Sequence, residues 1–452
     1  MNDTIVAIST QLGNGAISIV RLSGTNAIEI VNKVFDKDLS KKESNTINYG
    51  NIVYKDEIID EVLVSIMKKP NTFSGEDVVE INCHGGVAVT KKILEIILKE
   101  GARLADPGEF TKRRFLNGKI DLIKAEAISE LIKTKNEKAR KIAIENLKGN
   151  TSNKIKDLRN ELRKIISNIE VNIDYPEYQD IEEMTKEKIK ESLKTIKKEV
   201  NRIIENSKNS RILTEGIKTA IIGRPNVGKS SILNKFSGYD KAIVTDIPGT
   251  TRDTVEEEVT FDGITLKLID TAGIRKSEDV VEQIGVSKSI SAIEESDLVI
   301  VVLNNNQKLT KEDKNLIELT IDKERIFVIN KSDLESKINI KELNIDPKDI
   351  VYTNTKHEEG IDSLKEKIRE KFKLGKIDYN EFNYVSKIEQ IKRLEEVEES
   401  IESIEEGINK DMPIDILEID IKNIWQILGE LIGETYTEEL LDNLFKDFCV
   451  GK

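Results

Sequence analysis

Cysteine is almost missing from these 452 residues: there are two, Cys83 and Cys449, set far apart in the chain. Two distant thiols make no disulfide framework, and the N-terminus lacks the charged-then-apolar run of a signal peptide, so the sequence reads as a reducing, cytoplasmic protein. Long apolar runs are missing too. None approaches the ~18 residues that a bilayer span needs, which argues against a membrane protein. Aromatics make up 5% of the chain while charged residues make up 34%, and this excess of Lys and Glu beside Ile suits long, exposed helices. Positive charge is in deficit, with 70 Lys and Arg against 83 Asp and Glu, a formal net charge of −13. A surface that grips nucleic acid all over needs clustered Lys and Arg. Any polyanionic partner must therefore be met through a local patch or an intermediary. The length allows about three domains at ~150 residues each.

Taken in order, residues 1–117 predict a compact α+β unit. Strand-like runs fall at Thr4–Ser9, Ile17–Leu22, Ile47–Tyr54, Ile58–Met67 and Val78–Asn82, and helical patterns at Asn26–Phe35 and Val87–Glu100. From about Asp121 the pattern changes to charged helices. Ile155, Leu158, Leu162, Ile165, Ile166 and Ile169 form one apolar stripe, Tyr175-Pro176 ends that helix, and a second helix covers about Lys186–Asn206. Residues from about 216 to 375 alternate strands and helices as a doubly wound domain, with Asp262-Gly263 marking a hairpin. Helical character returns after Gly375. Ile391, Leu394, Val397, Ile401, Ile404 and Ile408 make another stripe, and Ile414–Ile432 is apolar nearly all round, which predicts a helix buried on every side. Each helical block has an unfinished apolar face, so 118–215 and 376–452 are expected to pack together with 216–375 inserted between them.

Chemistry concentrates in that insert. Gly223-Arg224-Pro225-Asn226-Val227-Gly228-Lys229-Ser230 matches the phosphate-binding loop G-x-x-x-x-G-K-[ST] at every defined position, after the strand-like Lys218–Ile222 and before a helix start at Ser230–Phe236. In such a turn the backbone N–H groups converge on phosphate oxygens, Lys229 brings a charge to the β/γ-phosphates, and Ser230 would hold Mg2+. Asp270-Thr271-Ala272-Gly273 follows a second strand, where an Asp serves Mg2+ and a Gly N–H meets a γ-phosphate. Asn330-Lys331-Ser332-Asp333 ends a third, and the Asp333 carboxylate can accept from both N1–H and N2–H of guanine, which adenine cannot offer. Between them lies Thr250-Thr251-Arg252-Asp253, with Thr251 a second Mg2+ candidate. This is the motif order of a GTPase domain. Ile274 stands where Ras-like enzymes keep a water-orienting Gln, so other groups must complete hydrolysis. Asn226 and the backbone of Ile243–Thr251 offer oxygens for a monovalent cation, with Arg252, Arg275 and Glu282 as further candidates or as ordinary solvated charges.

Outside the insert, Asn82-Cys83-His84-Gly85-Gly86 reads as a functional His or as a helix-capping turn. Pro107-Gly108-Glu109-Phe110-Thr111-Lys112-Arg113-Arg114 is a turn leading into a basic helix, which by itself suits a solvated face. The run Phe448-Cys449-Val450-Gly451-Lys452 follows an apolar helix and is a candidate to tuck into a site; Cys449 reads as a nucleophile or as an inert small hydrophobe.

Over essentially its full length the chain resembles the MnmE (TrmE) family of tRNA-modification GTPases. The resemblance is carried by Asp3–Ala7, Phe73–Glu80, the N-C-H-G-G and P-G-E-F-T-K-R segments, Phe115–Leu122, the GTPase motifs and the final F-C-V-G-K. It implies a tetrahydrofolate-binding, dimerising N-terminal domain, a helical domain from two segments and an inserted Ras-like GTPase domain. It also implies a flavoprotein partner, MnmG, and addition of an aminomethyl or carboxymethylaminomethyl group to carbon 5 of the tRNA wobble uridine. The one-carbon unit would come from a folate held by Arg21, Glu80, Lys119 and Lys452. By the same resemblance GTP would be contacted by Asn226, Val227, Gly228, Lys229, Ser230, Ser231, Thr245, Asp246, Ile247, Pro248, Gly249, Thr250, Thr251, Asp270, Thr271, Ala272, Gly273, Asn330, Lys331 and Asp333. K+ would sit on Asn226, Thr245, Ile247 and Thr250, and Mg2+ on Ser230 and Thr251, while Glu282 would orient water beside Lys229 and Asp270. The chain departs from the family at Asn354-Thr355-Lys356, where a Ser-Ala-Lys-like guanine-supporting segment is usual. Two other readings stand beside this one: a GTP-switched ribosome-assembly factor, which predicts an RNA-binding module absent here, and a folate scaffold with a vestigial GTPase, against which Lys229, Asp270 and Asp333 weigh.

Overall fold

The computed structural model describes residues 3–134, 136–174, 185–237, 257–269, 291–343, 345–357, 359–372, 382–446, 448 and 450–451. Two compact units divide it: residues 1–132, 146–200 and 388–452 form the first, and 133–145 with 201–387 the second.

In the first unit a six-stranded sheet runs in the order β3-β4-β5-β2-β1-β6, with β1 Ile5–Ile8, β2 Ile17–Ser23, β3 Thr46–Tyr54, β4 Glu57–Met67, β5 Val78–His84 and β6 Arg103–Leu104. Neighbours are antiparallel except β1 and β6. Alternation decides which face is covered. Val20, Leu22, Val62, Val64, Ile66, Val79 and Ile81 point to one side and are buried with Ile30, Val31, Ile93, Ile96 and Ile97 of α1 (Ala27–Asn32) and α2 (Val87–Lys99). Ile17, Ile47, Tyr49 and Leu63 occupy the alternate positions and are exposed. The expected α+β arrangement is therefore found; the opposite sheet face is covered at β1, where Ile5 and Ala7 are buried against Phe110, and is exposed at Ile17, Ile47, Tyr49 and Leu63.

Helices α3 (Glu109–Leu116), α4 (Leu122–Lys133), α6 (Asn150–Asp174), α11 (Ile388–Asn409), α12 (Ile414–Ile432) and α13 (Glu438–Phe445) complete this unit, together with the first half of α7 (Lys186–Glu215). The six apolar residues of the α6 stripe are all buried, each contributing about 2 kcal/mol of transfer free energy. As expected from their unfinished faces, the two helical blocks pack on each other, and Arg159 joins them. Its Nε donates to the Trp425 carbonyl at 3.0 Å, its guanidinium lies 4.1 Å from the Trp425 ring centroid, and it ion-pairs with Glu434. Two expectations need correction. The α7 helix runs to Glu215, because Ile203, Ile204 and Leu213 keep its apolar stripe buried beyond Asn206. Nor is α12 buried all round. Leu417, Ile421, Ile424, Leu428 and Leu431 face the core, but Ile416 and Ile419 are exposed, so the helix is amphipathic with a few apolar residues on its wet face. The proposed stop at Tyr175-Pro176 lies outside the described residues.

The second unit holds another six-stranded sheet, in the order β12-β11-β10-β7-β9-β8: β7 Ile217–Ile222, β8 Glu257–Phe261, β9 Ile264–Leu268, β10 Leu298–Asn304, β11 Glu324–Asn330 and β12 Ile350–Thr353. All pairs are parallel except β8 with β9. Every residue of β10 is buried, as a central strand covered on both faces requires. The β8–β9 hairpin turns at Asp262 and Gly263, both with positive φ, confirming that reading. α8 (Lys229–Ser237), α9 (Lys311–Glu318) and α10 (Ile361–Lys371) pack with the sheet, and α5 (Glu137–Lys148) adds Ile142 to its core. The strand ends at Gly223, Asn304, Asn330 and Thr353 gather along one edge, which is where open α/β sheets bind ligands.

Candidate nucleotide site and N-terminal sheet site

The loop from Gly223 to Lys229 leaves the end of β7 and enters α8. Gly223 (φ 148°), Asn226 (φ 62°) and Gly228 (φ 106°) all adopt positive φ. A Cβ on Gly223 would strike the Val302 carbonyl of β10, and one on Gly228 would strike the Asn330 side chain, so close approach as well as conformation requires glycine at both. Lys229 curls back over the loop, its Nζ donating to the carbonyls of Gly223 (2.5 Å) and Arg224 (2.9 Å), and burial lowers its pKa.

Asn330 sits at the end of β11, two strands away, and is fully buried. Its Nδ2 donates to the Val227 carbonyl at 2.9 Å while its Oδ1 accepts from Thr353 Oγ1 at 3.1 Å. Lys331 (φ 63°) reaches the Asn226 carbonyl with its Nζ at 3.0 Å. The Asn330–Asp333 segment thus clasps the Gly223–Lys229 loop in two places, and Asp333 is exposed just beyond the strand end. Asn354-Thr355-Lys356 forms a turn after β12, held by the mutual backbone bonds of Asn354 and Glu359 and by Lys356 N–H on Asn354 Oδ1. Ser230 and Ser231 lie in the first turn of α8 and are exposed. The donor set fits a nucleotide polyphosphate: the N–H groups of a helix N-terminus, a lysine on a tight loop and a serine hydroxyl. Thr245, Asp246, Ile247, Pro248, Gly249, Thr250, Thr251, Asp270, Thr271, Ala272, Gly273 and Glu282 lie outside the described residues, as do Arg252 and Arg275.

On the sheet face opposite α1 and α2, Arg21 of β2 and Glu80 of β5 are cross-strand partners, joined by Nε to Oε1 at 2.7 Å. Arg21 also donates from NH1 to the Gly451 carbonyl at 3.1 Å, as does Ser9 Oγ at 3.1 Å, and its guanidinium lies 5.9 Å from the Phe110 ring centroid. Phe448 is buried against Gly108, which has φ 67°. Phe448 is therefore tucked against the P-G-E-F turn and Gly451 against Ile8 and Ser9, while Val450 is exposed. Lys119 packs on Gly75, within the segment that leads to Glu80, but no hydrogen bond or ion pair joins it to Arg21 or Glu80. Cys449 and Lys452 lie outside the described residues.

Arg113 is not a solvated residue of a basic helix. It is buried, paired with Asp3, Glu76 and Glu109, and ties α3 to the N-terminal strand and the Phe73–Glu80 segment. His84 ends β5 with Nδ1 at 2.7 Å from Asp60 Oδ1, and the carboxylate holds its pKa above the usual histidine range.

The family description "GTP-binding protein TrmE N-terminus" matches residues 4–119, and "MnmE helical domain" matches residues 122–449. The tRNA modification GTPase MnmE of Bacillus subtilis (strain 168) is 48% identical over 459 residues, covering 100% of both chains. That of Ligilactobacillus salivarius is 49% identical over 455 residues, covering 100% of this chain and 98% of the relative. The chain belongs to the MnmE family of tRNA modification GTPases. Among solved structures, the G domain of the T. maritima FeoB iron transporter is 28% identical over 34% of this chain and 96% of its own, with a TM-score of 0.26. Like the rest of the family, this chain is a GTP-binding enzyme of tRNA modification. Its Gly223–Ser230 and Asn330–Asp333 segments meet at one sheet edge. The pairings of Thr353 with Asn330, of Arg224 with Asp313 and of Arg113 with Asp3 and Glu76 escaped the sequence reading because these partners lie far along the chain, and no local pattern marks such pairs.

Proposed function

We propose that this GTPase works with a flavoprotein of the MnmG type to add an aminomethyl or carboxymethylaminomethyl group at carbon 5 of the wobble uridine. The observation that carries the nucleotide assignment is the clasp between Asn330, Lys331 and the Gly223–Lys229 loop. It supports a reading in which GTP would lie across this sheet edge with guanine at Asp333 and phosphates at Lys229 and α8. Ser230 and Thr251 would hold Mg2+, and Asn226, Thr245, Ile247 and Thr250 would hold K+. Bound there, the two cations supply charge neutralisation for the phosphates. Lys229 would add its own charge, Asp270 and Gly273 would serve the metal and γ-phosphate, and Glu282 would orient the attacking water in place of the Gln where this chain has Ile274.

The folate would be held on the N-terminal sheet by Arg21, Glu80, Lys119 and Lys452. Support comes from the Arg21–Glu80 pair beside the tucked C-terminal segment, a guanidinium and a carboxylate able to bind a pterin's donor and acceptor edge. The folate supplies the one-carbon unit when bound. The exposed Ile17, Ile47, Tyr49 and Leu63 on that same face support a homodimer in which a second copy covers it. Residues 1–117, 118–215 with 376–452, and 216–375 would be the folate, helical and GTPase domains. No described helix is long and apolar enough to cross a membrane.

The test is mass spectrometry of nucleosides from total tRNA of cells with and without the gene, and with Asp270→Ala. Loss of aminomethyl-type wobble uridines in both mutants is expected. An unchanged nucleoside profile with altered ribosomal particles would overturn the proposal.

A further inference from the structure

Arg224 fills a position that the phosphate-loop pattern leaves free, yet its side chain is more firmly held than most in the loop. Its Nε donates to Asp313 Oδ1 at 2.8 Å and its NH2 to Gln307 Oε1 at 3.0 Å. Asp313 is buried, and its other oxygen accepts from both the backbone N–H (2.9 Å) and the hydroxyl (2.8 Å) of Thr310, completing the capping box of α9. Arg224 is the cation paired with this carboxylate. A buried carboxylate has one well-defined place, and through the fork of the arginine so does the backbone of Arg224. That backbone carbonyl is one of the two that receive the Lys229 ammonium.

The same connection reaches the base side. Asn305 N–H donates to the Asn330 carbonyl at 2.9 Å, Asn305 Nδ2 to the Leu334 carbonyl at 2.9 Å, and Asn306 Nδ2 to the Glu335 carbonyl at 3.0 Å. The stretch from Asn305 to Asp313 is therefore a brace fastened at one end to the segment around Asp333 and at the other to the phosphate loop.

We infer that Arg224 is a positioning residue for nucleotide binding: by locking onto Asp313 it fixes the loop carbonyls that hold Lys229, so that the ammonium is set for the β-phosphate. This rests on reading residues 223–231 as the phosphate loop. The two ideas fail separately. Lys229→Ala tests the loop, and Arg224 variants test the brace.

The experiment uses the full chain and measures competition of GDP and of GMP against a fluorescent guanine nucleotide, with thermal unfolding recorded for each variant. GMP lacks the β-phosphate and is the discriminating ligand. Arg224→Gln is expected to weaken GDP about tenfold and to leave GMP within twofold. Arg224→Lys, which keeps a donor for Asp313 but loses the fork, is expected to recover most of the GDP affinity. In a cycle with Asp313→Asn, the double variant should bind GDP no more weakly than Asp313→Asn alone. Gln307 is exposed, so Gln307→Ala folds normally and should weaken GDP by about twofold, which keeps the test open if a buried variant misfolds. Equal losses for GDP and GMP, or losses that multiply in the double variant, overturn the inference. If Lys229→Ala still binds GDP normally, the loop assignment itself falls.

Discussion

Replacing Asn330 with alanine probes the clasp directly. The amide makes two buried hydrogen bonds, giving to the Val227 carbonyl at 2.9 Å and receiving from Thr353 Oγ1 at 3.1 Å. Alanine makes neither. An orphaned buried polar group costs about 1–3 kcal/mol. The Thr353 hydroxyl can rotate toward a carbonyl of its own strand, whereas the Val227 carbonyl is fixed by the loop, so one full orphan is the appropriate count. The expected cost is about 2 kcal/mol. If the free loop relaxes to solvate Val227 and must be reordered by the ligand, that energy appears in binding as an about 30-fold weaker Kd for GDP. Asn330→Asp should be worse, because it keeps an acceptor for Thr353 but turns a carboxylate oxygen toward the Val227 carbonyl. Thr353→Val, which removes one hydroxyl and preserves shape, should cost about 1 kcal/mol and weaken GDP about fivefold. Titration of a fluorescent GDP derivative measures all three. Binding by Asn330→Ala within threefold of wild type, at unchanged thermal stability, would refute the clasp.

In α12, Gly429→Ala sets two effects against each other. Alanine favours a helix interior by about 1 kcal/mol, but its Cβ would lie 2.8 Å from Arg159 NH2 and 2.9 Å from Cζ, displacing a charge-assisted bond to Trp425 worth about 1.5–3 kcal/mol. A net loss is expected, reversing to a gain in an Arg159→Ala background; hydrogen exchange of the α12 amides measures it, and stabilisation in the wild-type background would contradict the packing described. For His84, the Asp60 carboxylate raises the folded pKa above 6.5, so the ion pair's stabilisation is fully present below pH 6.5 and is lost as pH rises through the raised value. NMR titration should find His84 above 6.5 and Asp60→Asn should bring it back down; a wild-type value at or below 6.5 would contradict this. Under the proposed potassium site, Asn226→Ala should weaken stimulation of hydrolysis by K+ while leaving the low activity in Na+ unchanged. Equal wild-type rates in the two salts would remove the basis for that site.

Much of the molecule could be read from the chain alone because its information is local. A glycine-bounded loop between a strand and a helix, a period-2 or period-3.6 apolar pattern and an Asp-Gly turn each specify backbone geometry within a few residues, which is why β7, α6, the β8–β9 hairpin and the phosphate loop fell where expected. Composition alone misled at Ile414–Ile432, since the number of apolar residues does not say how many faces of a helix have neighbours to bury them. What only the tertiary structure decided are pairs remote in sequence: Asn330 on Val227, Arg224 on Asp313, Arg113 between Asp3 and Glu76, and Arg21 beneath the Gly451 carbonyl. Hydrogen bonds and ion pairs act over a few ångströms of space whatever the separation along the chain, so these partners become visible only when the strands and helices that carry them have been packed.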